Sequence, residues 1–338
     1  MRLAFNNAKN IGFYMIKLQK AVWTFSTIMV VLSACHSVIR DTPSSKLTLT
    51  EHKLVDKIWH VESKQFVDKQ QLLNDIVSQE YILLGETHDN PVHHNYQAWV
   101  IAQLKAQGRS MSVAFEMLTP EQGQALAKHP IQTADQIFDV VQWENSGWPD
   151  RGMYKPVFVA TLDAGYAIHA ANINRQELNQ IIMQGEESLP ENIKTQLQQN
   201  PLDDQSEELL RTGIVESHCQ MLPDSMVPAM MLGQRVRDAA IANSLVKNKA
   251  NDGIVLIAGS GHTQNNGVPG FVRATDDSAK IFTMAWMEVD KRFTDPEEYR
   301  DYWGTEELPF DYIWFTARID RPDPCEELKK HHKFSKKE

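Results

Sequence analysis

The chain has 338 residues, with 34 Lys and Arg against 44 Asp and Glu, a formal net charge of −10 and a pI near 5.7. With 42% hydrophobic and 23% charged residues the composition is that of a globular protein, and three cysteines exclude a disulfide-dense scaffold. The acidic balance, with no basic patch in the sequence, argues against nucleic acid as a partner.

Residues 1–35 are typical of a bacterial lipoprotein signal peptide. Two lysines precede an uncharged run at 21–34, which is shorter than the roughly 20 apolar residues of a membrane-spanning helix. The run ends in Leu-Ser-Ala-Cys, which resembles a lipobox with Cys35 as the lipidated residue. The next residue is His36 rather than Asp, a pattern that resembles lipoproteins of the outer membrane. We therefore expect a lipid-anchored protein on the periplasmic face of that membrane.

The domain organisation follows from the same patterns. A polar tether is expected at 36–49, one domain at 50–320 and a charged tail at 321–338 that frays. Translation starts at Met1 or at Met15, and the second choice gives the more compact signal sequence.

Six short apolar segments predict buried strands. They are Tyr81–Leu84, Met111–Phe115, Ala167–Ala171, Ile254–Ala258, Lys280–Val289 and Tyr312–Ala317. Segments with helical spacing lie between them, notably Val92–Gln107 and Gln234–Lys247. Strands alternating with helices predict an α/β fold, a mostly parallel sheet flanked by helices. The intervals 119–148 and 175–237 predict helical insertions at the carboxyl edge of the strands, and 294–309 a surface excursion.

Acidic and imidazole side chains follow three of the predicted strands. Glu86 and His88 follow the first, Glu116 the second and His262 the fourth. Ligands of parallel sheets bind beyond the carboxyl ends of the strands, so we expect these side chains to share one crevice. His88, Glu116 and His262 form a ligand set for a divalent transition metal. The same three residues, with Glu86, are equally the candidate acids and bases of a metal-free catalytic site.

The order and spacing of these motifs resemble the superfamily of the TIKI and TraB proteases, erythromycin esterase and the haem-binding uptake protein ChaN. Three further segments are similar to the ChaN branch: a Trp-Pro pair ahead of Tyr154, an Asn-x-x-Arg motif ending at Arg175, and a Gln-Arg-x-Arg-Asp motif that contains Arg235. The resemblance covers residues 82–283, which is most of the mature chain.

The resemblance implies a haem-binding lipoprotein of iron or haem uptake that encloses haem in a homodimer. It also implies a Tyr as the axial ligand of the haem iron. Tyr154 matches the motif, and Tyr166 and Tyr96 are the alternatives. Arg175 and Arg235 are the candidate partners of the haem propionates.

Several alternatives stay open in the sequence. Arg151 is a third candidate for the propionates, and an outer-membrane haem or iron receptor is a further expected partner. The superfamily also contains hydrolases, so a protease- or esterase-like enzyme, metal-dependent or based on His and Glu, is the alternative function. Cys219 and Cys325 pair in an oxidising compartment, or Cys219 is a buried free thiol. One of His93 and His94 is expected to face the crevice.

Overall fold

The computed structural model describes residues 46–323 together with 325 and 326. The predicted signal peptide, Cys35 and most of the predicted tether lie outside the described residues. None of the helices in the described ranges is long and apolar enough to cross a membrane.

The centre of the described fold is a sheet of eight strands. They are β2 (Ile58–His60), β3 (Gln65–Val67), β4 (Tyr81–Glu86), β5 (Met111–Phe115), β6 (Ala167–Ala170), β7 (Gly253–Gly259), β8 (Ile281–Glu288) and β9 (Tyr312–Thr316). Their order across the sheet is β3-β2-β9-β8-β4-β7-β5-β6, and β9 to β6 are mutually parallel. The predicted α/β class with a mostly parallel sheet is therefore confirmed.

The central strands are apolar on both faces because helices cover both sides of the sheet. Ile82 and Leu84 of β4 pack into one hydrophobic cluster, and Tyr81 and Leu83 pack into another.

The described helices are α1 (Lys69–Ile76), α2 (Pro91–Ala106), α3 (Pro120–Ala127), α4 (Ala134–Val141), α5 (Arg151–Ala164), α6 (Arg175–Gln184), α7 (Glu191–Gln199), α8 (Asp204–Ser217), α9 (Val227–Asn248), α10 (Ser260–Thr263), α11 (Val268–Thr275) and α12 (Arg300–Trp303).

The helix after Trp148 begins earlier than the sequence suggests. The sequence predicts a helix over Val157–Ala164, but α5 begins at Arg151. The side chain of Asp150 accepts the N–H of Gly152 at 2.7 Å and so caps the helix at this earlier point. The proline lies within the helix as a result, and Tyr154 becomes a helical residue.

The antiparallel strands β2 and β3 are missing from the prediction, because they are only three residues long and β3 is polar and partly exposed.

A second small sheet pairs β1 (Leu47–Thr48) with β10 (Arg318–Ile319). The end of the predicted tether is therefore part of the fold. The segment 294–309 is not merely a surface excursion, since Tyr299 and Leu308 are buried in a third hydrophobic cluster.

The first residues of the predicted charged tail also make specific contacts. Arg321 binds the carboxylates of Asp89 and Glu288, with its closest N–O distance to each at 2.7 Å. Cys325 forms a disulfide with Cys219 at the end of α8, with the two Cα atoms 5.3 Å apart. Of the two alternatives for Cys219, the structure contains the disulfide.

Candidate functional site

The carboxyl ends of three neighbouring strands place the candidate residues together. Glu86 is the last residue of β4, Glu116 follows β5, and His262 lies in α10 directly after β7. Each of these side chains is almost fully buried, with at most 5% of the residue exposed. The crevice is thus built from positions far apart in sequence.

Glu86 is the centre of the first half of the site. Its Oε1 accepts a hydrogen bond from the hydroxyl of Tyr154 at 2.5 Å and another from His88 Nδ1 at 2.9 Å. Its Oε2 lies 3.4 Å from Nε2 of the buried His94. Burial alone would raise the pKa of Glu86, but the two histidines outweigh it and hold the pKa well below its usual range. Glu86 is therefore a carboxylate.

His262 is the centre of the second half. Its Nε2 lies 3.3 Å from Glu116 Oε1, and its Nδ1 lies 2.5 Å from Asp238 Oδ1. Burial lowers the pKa of His262, but Glu116 and Asp238 outweigh it and raise the pKa to about 10. Burial likewise raises the pKa of Glu116, while His262, His88 and the N–H of Gly259 bring it down to about 2. His262 and Glu116 form a buried ion pair at neutral pH.

His88 connects the two halves and is the member of the site that reaches solvent. Its Nε2 lies 3.9 Å from Glu116 Oε2, and 35% of its side chain is exposed. Trp148 packs edge-on against its ring, with the ring centroids 4.9 Å apart. Burial lowers the pKa of His88, but its hydrogen bond to Glu86 and the charge of Glu116 outweigh it and raise the pKa. The imidazole is therefore fixed in direction by the Glu86 carboxylate, while its Nε2 lies towards Glu116 and the backbone of Gly259.

The predicted metal ligands His88, Glu116 and His262 lie close together at the strand ends. No group of three or more His, Cys, Asp or Glu side chains among the described residues is arranged to hold a metal ion. Both ring nitrogens of His262 face carboxylates, with Glu116 at Nε2 and Asp238 at Nδ1.

Tyr154, the predicted haem ligand, is engaged by other residues of the site in this structure. The residue is fully buried, and its hydroxyl donates to Glu86. Burial and the adjacent carboxylate both raise the pKa of Tyr154, so the phenolate that would bind ferric iron is strongly disfavoured. The alternatives are engaged as well, since Tyr166 donates to the carbonyl of Arg109 and Tyr96 donates to Asp56.

The three candidate arginines have different environments. Arg235 does not face the crevice, because its guanidinium donates to the backbone carbonyls of Leu197 and Asn200. Arg151 pairs with surface carboxylates on α4 and just after it. Arg175 lies at the first position of α6, beyond the end of β6, and has no hydrogen bond or ion pair among the described residues. Of Arg175 and Arg235, the two predicted propionate partners, Arg175 is the one that has no other partner among the described residues.

The sequence did not single out Asp238 as a site residue, and it left open whether His93 or His94 faces the crevice. Asp238 stands in the Gln-Arg-x-Arg-Asp motif, and an acidic residue at the end of that motif was the available signal. His94 lies in the first turn of α2 with both ring nitrogens buried and without a hydrogen-bond partner, directly beneath Glu86. Its neighbour His93 instead bonds Thr316 and accepts the N–H of Thr87, which fixes the loop that carries His88.

Comparison with known proteins identifies the family. The model of the haem-binding uptake family of the Tiki superfamily, ChaN, matches residues 72–272, which is more than half of the chain. The chain therefore belongs to this family of haem-binding uptake proteins. No curated protein matches the sequence.

Among solved structures, the fold is similar to ChaN of Campylobacter jejuni, for which cofacial haem binding is described. The TM-score is 0.60 at 20% identity, and the match covers 78% of this chain and 96% of that chain. At this identity the likeness shows the fold. An erythromycin esterase in its open conformation matches at 11% identity with a TM-score of 0.41, covering 78% of this chain and 98% of that chain. A Bacillus cereus protein matches at 11% identity with a TM-score of 0.35, covering 77% and 81%.

Proposed function

We propose that this chain binds haem at the strand-end crevice and serves haem or iron uptake as a lipoprotein. Family membership supports haem as the ligand, and the similar Campylobacter jejuni protein is described as binding haem cofacially. The observation that carries the proposal is His88, an imidazole partly exposed to solvent and fixed through Nδ1 by a buried carboxylate.

The residues at the crevice mouth fit a haem. Histidine is a common axial ligand of haem iron, and a ligating histidine usually donates its second N–H to a carboxylate or a carbonyl. His88 has this arrangement, with Glu86 as the carboxylate. The indole of Trp148 beside it provides an apolar aromatic wall next to the imidazole. We therefore assign the iron-facing position to His88 rather than to Tyr154.

Tyr154 has a positioning role on the buried side of the site. For its oxygen to reach iron, the side chain would have to leave the buried pocket between His94 and Trp143 and break its bond to Glu86. Its hydroxyl instead shares Glu86 Oε1 with His88, which helps to keep that carboxylate oriented towards the imidazole.

The location and the partners belong to the proposal as well. The lipobox at Cys35 supports a lipid anchor at the outer membrane facing the periplasm. The disulfide between Cys219 and Cys325 is typical of an oxidising compartment and supports the periplasm. A homodimer formed on haem binding and an outer-membrane receptor complete the proposal.

The test is a haem titration of the full chain in detergent, followed by absorbance in the Soret region. We expect His88→Ala to weaken haem binding by about tenfold or more and to shift the Soret band, because the iron loses an axial ligand. Tyr154→Phe should keep the spectrum of the wild type. His129→Ala is the matched control, since His129 is exposed and bonds only its own helix.

Two outcomes would contradict this assignment. Absence of haem binding by the wild type would overturn the function itself. Loss of the spectrum in Tyr154→Phe, with His88→Ala unchanged, would return the ligand role to the tyrosine. The hydrolase alternative has less support, because the family model that matches this chain is that of haem-binding uptake proteins.

A further inference from the structure

We infer that Arg237, with Arg175 beside it, forms an anion subsite at the crevice that receives the propionate carboxylates of haem. This inference rests on the proposed function and adds the residues that recognise the acidic edge of the ligand. Arg237 was not among the arginines that the sequence singled out for this role.

Arg237 is a partly buried cation that forms no ion pair among the described residues. Its Nε is buried and has no hydrogen-bond partner there. A buried guanidinium nitrogen without a partner is costly, and the cost is recovered when a carboxylate binds. Asp238 feels the charge of Arg237, but its carboxylate contacts His262 Nδ1 and so does not bind the guanidinium.

The position of Arg237 on α9 follows from its neighbours along the helix. Gln234, one turn earlier, contacts His262 Nδ1 at 3.0 Å. Gly233 packs against α6, where an added Cβ would lie 2.8 Å from Ile182. At 100° per residue, Arg237 projects between these two directions. It therefore lies between the His262 half of the site and α6.

Ser244 provides a reference point for the position of Arg237 along the direction of the strands. It lies two turns later than Arg237 on the same stripe of α9. The hydroxyl of Ser244 donates to the carbonyl of Ala170, the last residue of β6. Seven residues of α-helix span about 10 Å. Helix α9 runs towards the amino end of β7, so its earlier residues lie nearer the carboxyl ends of the strands. Arg237 therefore lies about 10 Å beyond the carboxyl end of β6, where the crevice is.

Arg175 is a second cation on the helix that packs against this part of α9, since Leu178 and Ile182 of α6 lie next to Gly233. It is the first residue of α6, directly after the turn that follows β6, and it too is without a hydrogen bond or ion pair among the described residues. Two guanidinium groups match the two propionates of haem, and each can bind a carboxylate through two parallel hydrogen bonds. In a chain with a net charge of −10, two unpaired arginines near one crevice favour an anionic ligand.

The experiment separates the carboxylates of the ligand from its iron. Iron-free protoporphyrin IX and its dimethyl ester are titrated into the full chain in detergent, and binding is followed by porphyrin fluorescence. We expect the wild type to bind the diacid about tenfold or more tightly than the ester, because charge-assisted hydrogen bonds are lost on esterification. Arg237→Gln should reduce this preference by about tenfold while circular dichroism stays unchanged.

Controls and contrary outcomes complete the design. Arg211→Gln removes the same charge from an exposed ion pair on α8 and should keep the preference of the wild type. Arg237→Lys and Arg175→Gln should each reduce the preference partially, and they serve as the test if Arg237→Gln does not fold. An unchanged preference in Arg237→Gln and Arg175→Gln would overturn the anion subsite while haem binding stands. Failure of the wild type to bind either haem or porphyrin would overturn the proposed function, and the subsite with it.

Discussion

Replacing Glu116 by Gln tests the buried ion pair at the centre of the site. The substitution keeps the shape of the side chain but removes the charge that faces His262 Nε2 at 3.3 Å. Glu116 also accepts the N–H of Gly259 at 2.8 Å, and a glutamine oxygen can still accept that bond. The main change is therefore electrostatic.

The expected cost is large because the pair is buried. Removing one partner of a buried ion pair destabilises a protein by about 3–5 kcal/mol, since the remaining charge is left without compensation. Asp238 still contacts Nδ1 of His262, which places the expected loss of unfolding free energy near the lower end of that range.

The pH dependence gives a sharper test than the loss alone. The pKa of His262 is raised to about 10 in the folded chain, against an ordinary value of 6.5. Its contribution to stability is fully present below pH 6.5 and is lost as the pH rises towards 10, at about 1.4 kcal/mol per pH unit. The pKa of Glu116 is lowered to about 2 from 4.5, so its contribution is present above pH 4.5 and is lost as the pH falls towards 2. Both contributions are therefore complete only between pH 4.5 and 6.5.

The assay is urea unfolding between pH 5 and 9, followed by circular dichroism. In Glu116→Gln the decline of stability above pH 6.5 should be markedly flatter than in the wild type, because the pKa of His262 falls back towards its ordinary value. Glu144→Gln, which loses an exposed pair with Arg151, is the control and should follow the wild type. Equal slopes for wild type and Glu116→Gln would refute the buried ion pair.

Three further outcomes are expected. Cys35→Ser should release the protein from the membrane fraction, and a variant that still sediments with membranes would refute the lipobox. Cys325→Ser opens a disulfide with a sequence separation of 106 and should lower the unfolding free energy by about 4 kcal/mol, while an unchanged urea midpoint would show that the bond contributes nothing. Arg321→Gln frees Asp89, the neighbour of His88, and should speed hydrogen exchange in that loop and weaken haem binding severalfold; unchanged exchange would contradict a role for Arg321 in holding the loop.

The parallel strands could be predicted because each is buried on both faces and therefore forms a continuous apolar run. The strands β2 and β3 could not, since each has only three residues and β3 is partly exposed. Strand β2 pairs with β9, which is more than 240 residues away in sequence, and β3 pairs only with β2 among the described strands.

The sequence predicted where the crevice lies but not the hydrogen bonds and ion pairs among its residues. Strand ends predicted that His88, Glu116 and His262 meet, and the structure brings them together. The burial of Tyr154 could not be predicted from its motif. Helix α5 starts six residues before the predicted start at Val157, so that Tyr154 is a helical residue whose hydroxyl donates to Glu86. Arg235 and Arg237 differ by half a helical turn, and only the packing of α9 decides which of them faces the crevice.

The charge distribution explains why such a crevice suits a ligand with a metal at its centre and acids at its edge. Glu86 and Glu116 are buried and each lies against a buried histidine, Glu86 against His94 and Glu116 against His262. What remains open there is the imidazole of His88, with the guanidinium of Arg237 nearby and without an anionic partner among the described residues. A haem brings an iron for the first group and carboxylates for the second, whereas a neutral ester substrate would satisfy neither. Discrimination between protoporphyrin IX and its dimethyl ester therefore tests the anion subsite, and the haem titration tests the function on which that subsite rests.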